Sequence, residues 1–206
     1  MSPKFDTCFF ERYASISLRE LLGPRFAHLQ NHDRPDLQDA EQGIGIEVTR
    51  AIAENRLTAE LLVNDVAADT VFDINTDDLQ SIRRYGYAYG LHGGGYVGAH
   101  EYDYWALALP LRRILASKVR KVADGFYGTY REFGLYVFSR EPLTVQEAEL
   151  TMQFVLELQR EAPVGYSALY INQVQQLYHC DLQAQHLHSI PISAEQCRWF
   201  YQQALA

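Results

Sequence analysis

The segment GIGIEVTRA, residues 43–51, constrains this chain more than any other part of it. Its β-branched residues alternate with small or polar ones, a period of two that belongs to an extended strand. Ile44, Ile46, Val48 and Arg50 then face one way, and Gly45, Glu47, Thr49 and Ala51 face the other. Glu47 therefore leaves the strand on the side opposite the Ile/Val stripe.

The rest of the chain alternates between helical and extended periods. Residues 8–22 place Phe9, Tyr13, Ile16 and Leu21 or Leu22 near one helical face, carry Glu11 and Glu20, and stop at Gly23-Pro24. Extended candidates follow at 25–30 and 35–39, ahead of the strand at 43–51. Helices are expected at 54–67 and 76–85, then a Gly- and Tyr-rich stretch from Tyr85 to Trp105 with little regular period. A long helix over 106–124 ends at Gly125, a residue suited to a C-terminal cap. A strand at 133–139, a helix at 145–161 and strands at 166–172, 175–182 and 186–192 lead to a last helix, N-capped by Ser193 and ending near Leu205. With 206 residues, one α/β domain is the expectation.

Charge limits the function classes. The 18 basic residues face 26 acidic ones, a formal net charge of −8, so the chain does not coat nucleic acid or anionic membrane by its overall charge. Three cysteines, Cys8, Cys180 and Cys197, without a CxxC pair argue against a disulfide scaffold or a structural zinc site. The N-terminal residues lack an apolar signal region, and no stretch is apolar enough to span a membrane. A cytoplasmic chain without a membrane partner is expected.

The chemistry sits in the short interval from Pro35-Asp36 to Glu47. Asp36 and Glu47 stand on neighbouring extended segments joined by a short polar turn. Paired as a hairpin in the right register, they bring two carboxylates to a common point. Together with a backbone carbonyl, that of Val48, they make a hard oxygen site suited to Mg²⁺ or Mn²⁺. An ion there polarises a phosphoryl oxygen and acidifies bound water, which phosphodiester hydrolysis requires. Gln38 shares the Asp36 face by alternation, which makes it either a secondary polar contact or an exposed side chain.

This order of helix, strand, PD strand and apolar-Glu-apolar-Thr strand, over roughly residues 8–52, resembles the PD-(D/E)XK nuclease superfamily. Pro35-Asp36 matches the superfamily's first motif, and Glu47-Val48-Thr49 matches the second except at its last position, where Thr49 replaces the lysine. The resemblance implies a restriction-endonuclease-like αβββαβ core with a mixed sheet, formed by about 8–52 and 106–140. A helical insertion over about 53–105 and a C-terminal αβββα extension over about 141–206 would complete the domain. It also implies an auxiliary acid from the opening helix, Glu20 in preference to Glu11, and a metal-dependent endonuclease acting on nucleic acid, DNA first.

Lysine is scarce enough to narrow the search for the missing residue. Of the 18 basic residues only Lys4, Lys118 and Lys121 are lysines. Lys118 falls close to the apolar stripe Leu107, Leu111, Ile114, Leu115, Val119 and Val122 of the 106–124 helix. A lysine beside an inward face snorkels or meets an anion. Within the superfamily the lysine can move to such a helix, so the resemblance assigns Lys118 to orient water or balance charge, with Lys121 nearby.

Local charge divides the chain further. Residues 111–132 hold six basic and two acidic residues, whereas 54–78 hold seven acids and one Arg. A phosphate-tracking surface beside the first segment reconciles an acidic chain with nucleic acid. The absence of lysine at Thr49 favours a rival, a binding or regulatory protein that keeps the nuclease fold without turnover, from a phage or a defence system. The Tyr-rich stretch suits packing, a homodimer contact or base stacking. Two other tracts carry weaker signals: His92-Gly93-Gly94-Gly95 with Gly165-Tyr166-Ser167 echoes a serine-hydrolase site, and His179, His186 and His188 a transition-metal site.

Overall fold

The computed structural model describes residues 7–51, 91–92, 95–96, 110–139 and 143–206. The chain divides into two compact units, residues 1–50 with 118–206, and residues 51–117. Of the second unit, the described parts are an antiparallel ladder of β4 (Leu91–His92) with β5 (Gly95–Tyr96), and the N-terminal half of α2 (Pro110–Ala123). The helices expected at 54–67 and 76–85 lie outside the described residues, as does most of the Tyr-rich stretch.

The first unit is built on a seven-stranded mixed sheet, and the described residues contain four α-helices. Strand order follows chain order: β1 (Gln30–Asn31), β2 (Leu37–Asp39), β3 (Ile44–Ala51), β6 (Glu132–Ser139), β7 (Ala168–Asn172), β8 (Gln176–Asp181) and β9 (His186–Pro191). β1, β2 and β3 form an antiparallel meander, β6 and β7 are parallel, and β7, β8 and β9 form a second meander. At the junction of the halves, the Gly43 carbonyl accepts from the amides of Arg131 and Glu132 at 2.8 and 3.1 Å.

The alternation read in the sequence decides the layers. Ile44, Ile46, Tyr136, Tyr170 and Leu177 share a core with Phe9, Tyr13 and Leu18 of α1 (Thr7–Leu22) and Phe200 of α4 (Ala194–Leu205). Tyr13 meets Phe200 edge-on at 5.7 Å, which fastens the two helices together on this face. Leu135, Val137, Leu169 and Ile171 alternate with these residues and are buried toward the opposite face. There α3 (Val145–Leu158) packs against β8 and β9, and the Tyr178 hydroxyl donates to the Leu143 carbonyl at 2.7 Å.

Helix ends follow local chemistry. Thr144 with Glu147, and Ser193 with Gln196, form reciprocal capping boxes. Gly125, at φ 72°, closes α2: its amide bonds the Val122 carbonyl while that of Phe126 bonds Lys121, the Schellman pattern. The extended segment expected at 25–30 is instead a 3₁₀ turn at Pro24–Phe26 with pairing confined to Gln30–Asn31, because Pro24 at the first helical position favours a turn over a strand. The segment expected at 35–39 pairs only from Leu37, so Asp36 stands at the entrance of β2.

A polar link crosses the apolar layer between α1 and the sheet. Tyr136, fully buried, shares its hydroxyl with Ser17 at 2.7 Å and accepts from the Asn172 amide at 2.8 Å. Ser17 keeps the Ala14 carbonyl at 3.0 Å, whereas Asn172 depends on the phenol. Tyr136→Phe is expected to cost about 1–2 kcal/mol by leaving that buried amide donor short of a partner. Urea unfolding checks this, and an unchanged midpoint and slope would show the link to be dispensable.

Candidate functional site

The register of the β2–β3 hairpin builds the site. Asp39 is buried at the turn and accepts from the Gln42 amide and side chain, both at 2.9 Å, and Gly43 takes the left-handed φ of 65° that completes the reversal. From there Asp39 pairs with Ile44, Gln38 with Gly45 and Leu37 with Ile46. One further step sets Asp36 opposite Glu47, and residues directly opposed across an antiparallel pair project to the same face. Asp36 Oδ2 also accepts from the Val48 amide at 2.7 Å, which fixes its carboxylate against β3.

Lys118 of α2 reaches the same point. Its Nζ forms an ion pair with Glu47 Oε1, and the two side chains are 17% and 9% exposed, so the pair is largely shielded from water. Glu47 faces away from Ile44 and Ile46, which places this part of α2 on the side of the sheet opposite α1 and α4. After the Schellman turn the chain brings Phe126, Tyr127 and Tyr130 onto this face. The Tyr130 ring lies over Gly45, where a Cβ would sit 2.8 Å from ring carbons, so a side chain at 45 would displace it.

Two phenols complete the surroundings. Tyr127 and Tyr166 both pack against Phe133, at ring distances of 5.3 and 4.8 Å. Tyr127 is within hydrogen-bonding reach of the Glu47 carboxylate, and Tyr166 of Tyr127, so the two buried hydroxyls line up toward that carboxylate. Burial, with the Glu47 and Asp36 charges, lifts both phenols far above the usual tyrosine range, so they remain protonated donors.

Charge at this point is unbalanced. Burial first, then Glu47 and Glu11, push the Asp36 carboxyl up to about 6, against the Val48 amide and Lys118, which favour its ionised form. Two carboxylates face one ammonium, so ionised Asp36 leaves an excess negative charge with incomplete hydration. Among the described residues no group of three or more His, Cys, Asp or Glu side chains is arranged to hold a metal. The donor set therefore does not suit a caged transition metal. It does suit Mg²⁺ or Mn²⁺, which bind through one or two carboxylates while keeping several waters.

The other expected site residues lie as follows. Glu20 is exposed, pairs with Arg19 at 2.9 Å and borders a cavity with Ser193, Glu195 and Trp199. The acid of α1 that acts on Asp36 is Glu11, buried and bonded by the Asn31 amide. The two acids are about 13 Å apart along the helix, so one site cannot recruit both. Lys121 is exposed and lies over the Phe126 ring at 5.4 Å. Gln38 turns back to the Pro35 carbonyl at 3.0 Å. Thr49 is partly buried beside Val48, and Arg50 covers the Phe10 ring at 4.6 Å on the other face.

Neither weaker tract assembles chemistry in the described residues. Ser167 accepts from the Phe133 amide at 2.9 Å and donates to its carbonyl at 3.1 Å, which makes it a strand clasp rather than a nucleophile. His179 stacks between Tyr170 and His188 at 5.0 and 5.7 Å, and burial followed by Arg25 lowers it to about 4. Tyr127 and Tyr166 were missed by sequence reasoning. The available signal was Gly125, whose cap turns the chain back toward the sheet.

Comparison with known proteins adds no relative: no family model, no curated protein and no solved structure matches the chain. No helix among the described residues is long and apolar enough to cross a membrane.

Stability and pH are linked at Asp36. Its folded-state pKa lies above the unfolded one, so its contribution is fully present below about pH 4 and is lost as pH rises through about 6. Asp36→Asn, which keeps an oxygen for the Val48 amide, is expected to match the parent at pH 4. At pH 7 it should be more stable by about 1–3 kcal/mol. Urea titrations at both pH values test this, and a variant less stable at pH 7 would contradict it. Lys118→Met is expected to destabilise by about 2–4 kcal/mol at neutral pH, because Glu47 is left buried without its partner.

Proposed function

We propose that the chain is a metal-dependent nuclease that hydrolyses phosphodiester bonds in DNA at Asp36, Glu47 and Lys118. The observation that carries this reading is the arrival of Lys118, from a helix, at the carboxylate that stands across the hairpin from Asp36. It supplies the ammonium whose strand position is taken by Thr49. The order α1, β1, β2, β3, α2, β6, with these strands adjacent in the sheet, also agrees with the αβββαβ core of the PD-(D/E)XK superfamily.

Asp36 and Glu47 would hold Mg²⁺ or Mn²⁺, which supplies Lewis-acid polarisation of a phosphoryl oxygen and acidification of water. Glu47 stands ready to accept a proton from the attacking water. Lys118 has N–H groups beyond its contact with Glu47 to orient that water and to offset negative charge developing on the phosphate. Burial first, then Glu47, with a further contribution from Glu11, keep the proton affinity of Asp36 high.

Charge and aromatic surface beside the site favour a polyanion. Arg34, two residues before Asp36, lies over the exposed Phe126 ring at 4.9 Å, and Lys121 lies over the same ring at 5.4 Å. Two exposed cations around an exposed ring combine phosphate contact with a stacking surface.

The rival reading, a binding or regulatory protein with this fold, draws on the direct Lys118–Glu47 ion pair, which occupies a carboxylate that a metal would need. Incubation of the purified protein with plasmid, linear DNA and RNA in Mg²⁺ or Mn²⁺ separates the two. Nicking or linearisation of plasmid is expected, with a loss of at least about 100-fold in Asp36→Ala, Glu47→Ala and Lys118→Met. Cleavage that persists in both carboxylate variants removes the site. DNA retention without any cleavage selects the binding protein.

A further inference from the structure

Where β6 and β7 begin and β8 ends, the first unit holds a cavity of about 240 Å³ bordered by Arg25, Arg131, Glu132, Ala168, His179 and Asp181. Asp181 pairs with Ala168 and His179 with Tyr170, so both side chains leave the sheet on the Tyr170 face, the one opposite Glu47. Ala168 supplies only a methyl group there, which leaves room between longer neighbours. Arg25 is already engaged: its guanidinium pairs with Glu132 at 3.3 Å and covers the Phe26 ring at 4.5 Å. Two opposite charges are not. Among the described residues Arg131 is in no ion pair. Asp181 spends Oδ1 on the amides of Gln183 and Ala184, at 3.0 and 2.8 Å, while Oδ2 has no partner among the described residues. His179, lowered to about 4 by burial and then Arg25, borders the cavity as a neutral imidazole with one donor and one acceptor.

We propose that this cavity binds a free zwitterionic amino acid with a small polar side chain, its carboxylate on Arg131 and its ammonium on Asp181. Charge balance selects the class. Arg25 and Glu132 offset each other, so one cation and one anion remain for a ligand. An anion such as phosphate would also meet Asp181 and Glu132, and a simple cation would also meet Arg25 and Arg131. A peptide terminus brings only one of the two charges. A neutral nucleobase would use the same donors and acceptors, but it binds by stacking on an aromatic face, and both faces of His179 are taken by Tyr170 and His188. The volume agrees, since it falls below the roughly 300–1,000 Å³ of pockets for drug-sized ligands. His179 then serves the polar side chain as donor or acceptor without adding charge. The inference is independent of the nuclease reading, because none of these residues belongs to the Asp36, Glu47 and Lys118 cluster.

Isothermal titration calorimetry of the full chain with L-serine, L-asparagine and L-glutamine tests this. At least one is expected to bind saturably at one site per chain, and binding by none of them overturns the proposal. The tightest is then compared with its N-acetyl form, which lacks the ammonium, and its carboxamide, which lacks the carboxylate. Each is expected to bind about tenfold more weakly, and blocked forms that bind as well as the free amino acid overturn the proposal. Arg131→Gln and Asp181→Asn are expected to weaken the free amino acid by about the same factor. Both variants keep the fold, because Arg131 is exposed and asparagine retains an oxygen for the two amides that Asp181 accepts; thermal unfolding checks this. Arg131→Gln is not expected to weaken the carboxamide further, since that ligand has already lost the group Arg131 pairs with. A variant that weakens all three ligands equally reports a general disturbance and overturns the assignment. So does tighter binding of inorganic phosphate or guanosine than of any amino acid tested.

Discussion

The site depends on the β2–β3 register. Asp39 and Gln42 tie the turn, Gly43 reverses the chain, and Leu37 then meets Ile46. A slip of one residue would turn Leu37 and Ile46 out of the core they share with α1 and α4, so burial of two large aliphatic side chains enforces the pairing. The same force that packs Ile44 and Ile46 against Phe9, Tyr13 and Leu18 therefore sends Asp36 and Glu47 to the other face, opposed to each other. The geometry of the carboxylate pair is in this sense a by-product of hydrophobic register.

Placing those carboxylates together works against stability. Asp36 is raised by burial and by its neighbours, Glu47 is nearly inaccessible, and among the described residues one ammonium, that of Lys118, serves both. Tyr127 and Tyr166 add two buried hydroxyls directed toward Glu47 and toward each other. Elsewhere in the first unit polar groups are matched: Ser17, Tyr136 and Asn172 satisfy one another, and Ser167 closes on Phe133.

The strand carrying Glu47, the helix carrying Lys118 and the cap at Gly125 were all legible in residue patterns, because period and turn chemistry are local properties. Scarcity of lysine made Lys118 conspicuous before its partner was known. Glu11 and Glu20 were not separable that way: both occupy α1, and which of them meets Asp36 depends on how the helix lies across the sheet. In the sequence Tyr166 marks the start of a strand and sits within the elbow-like Gly165-Tyr166-Ser167 tract, and nothing there shows its neighbours Tyr127 and Phe133, which come from a distant part of the chain. The 3₁₀ turn at Pro24 shows the limit of extended-looking segments, where one missing amide outweighs the composition around it.

By itself the sequence determined the alternation of helices and strands, the side of β3 from which Glu47 leaves, and the small set of lysines able to pair with it. These follow from backbone periods and from counting, which need no knowledge of contacts. Tertiary structure alone decided that α2 delivers Lys118 to Glu47, that Glu11 rather than Glu20 influences Asp36, and that two tyrosines surround the carboxylates. Such choices arise from packing between segments far apart in the chain, where the energy of a contact depends on which layers close over it rather than on any residue's neighbours in sequence.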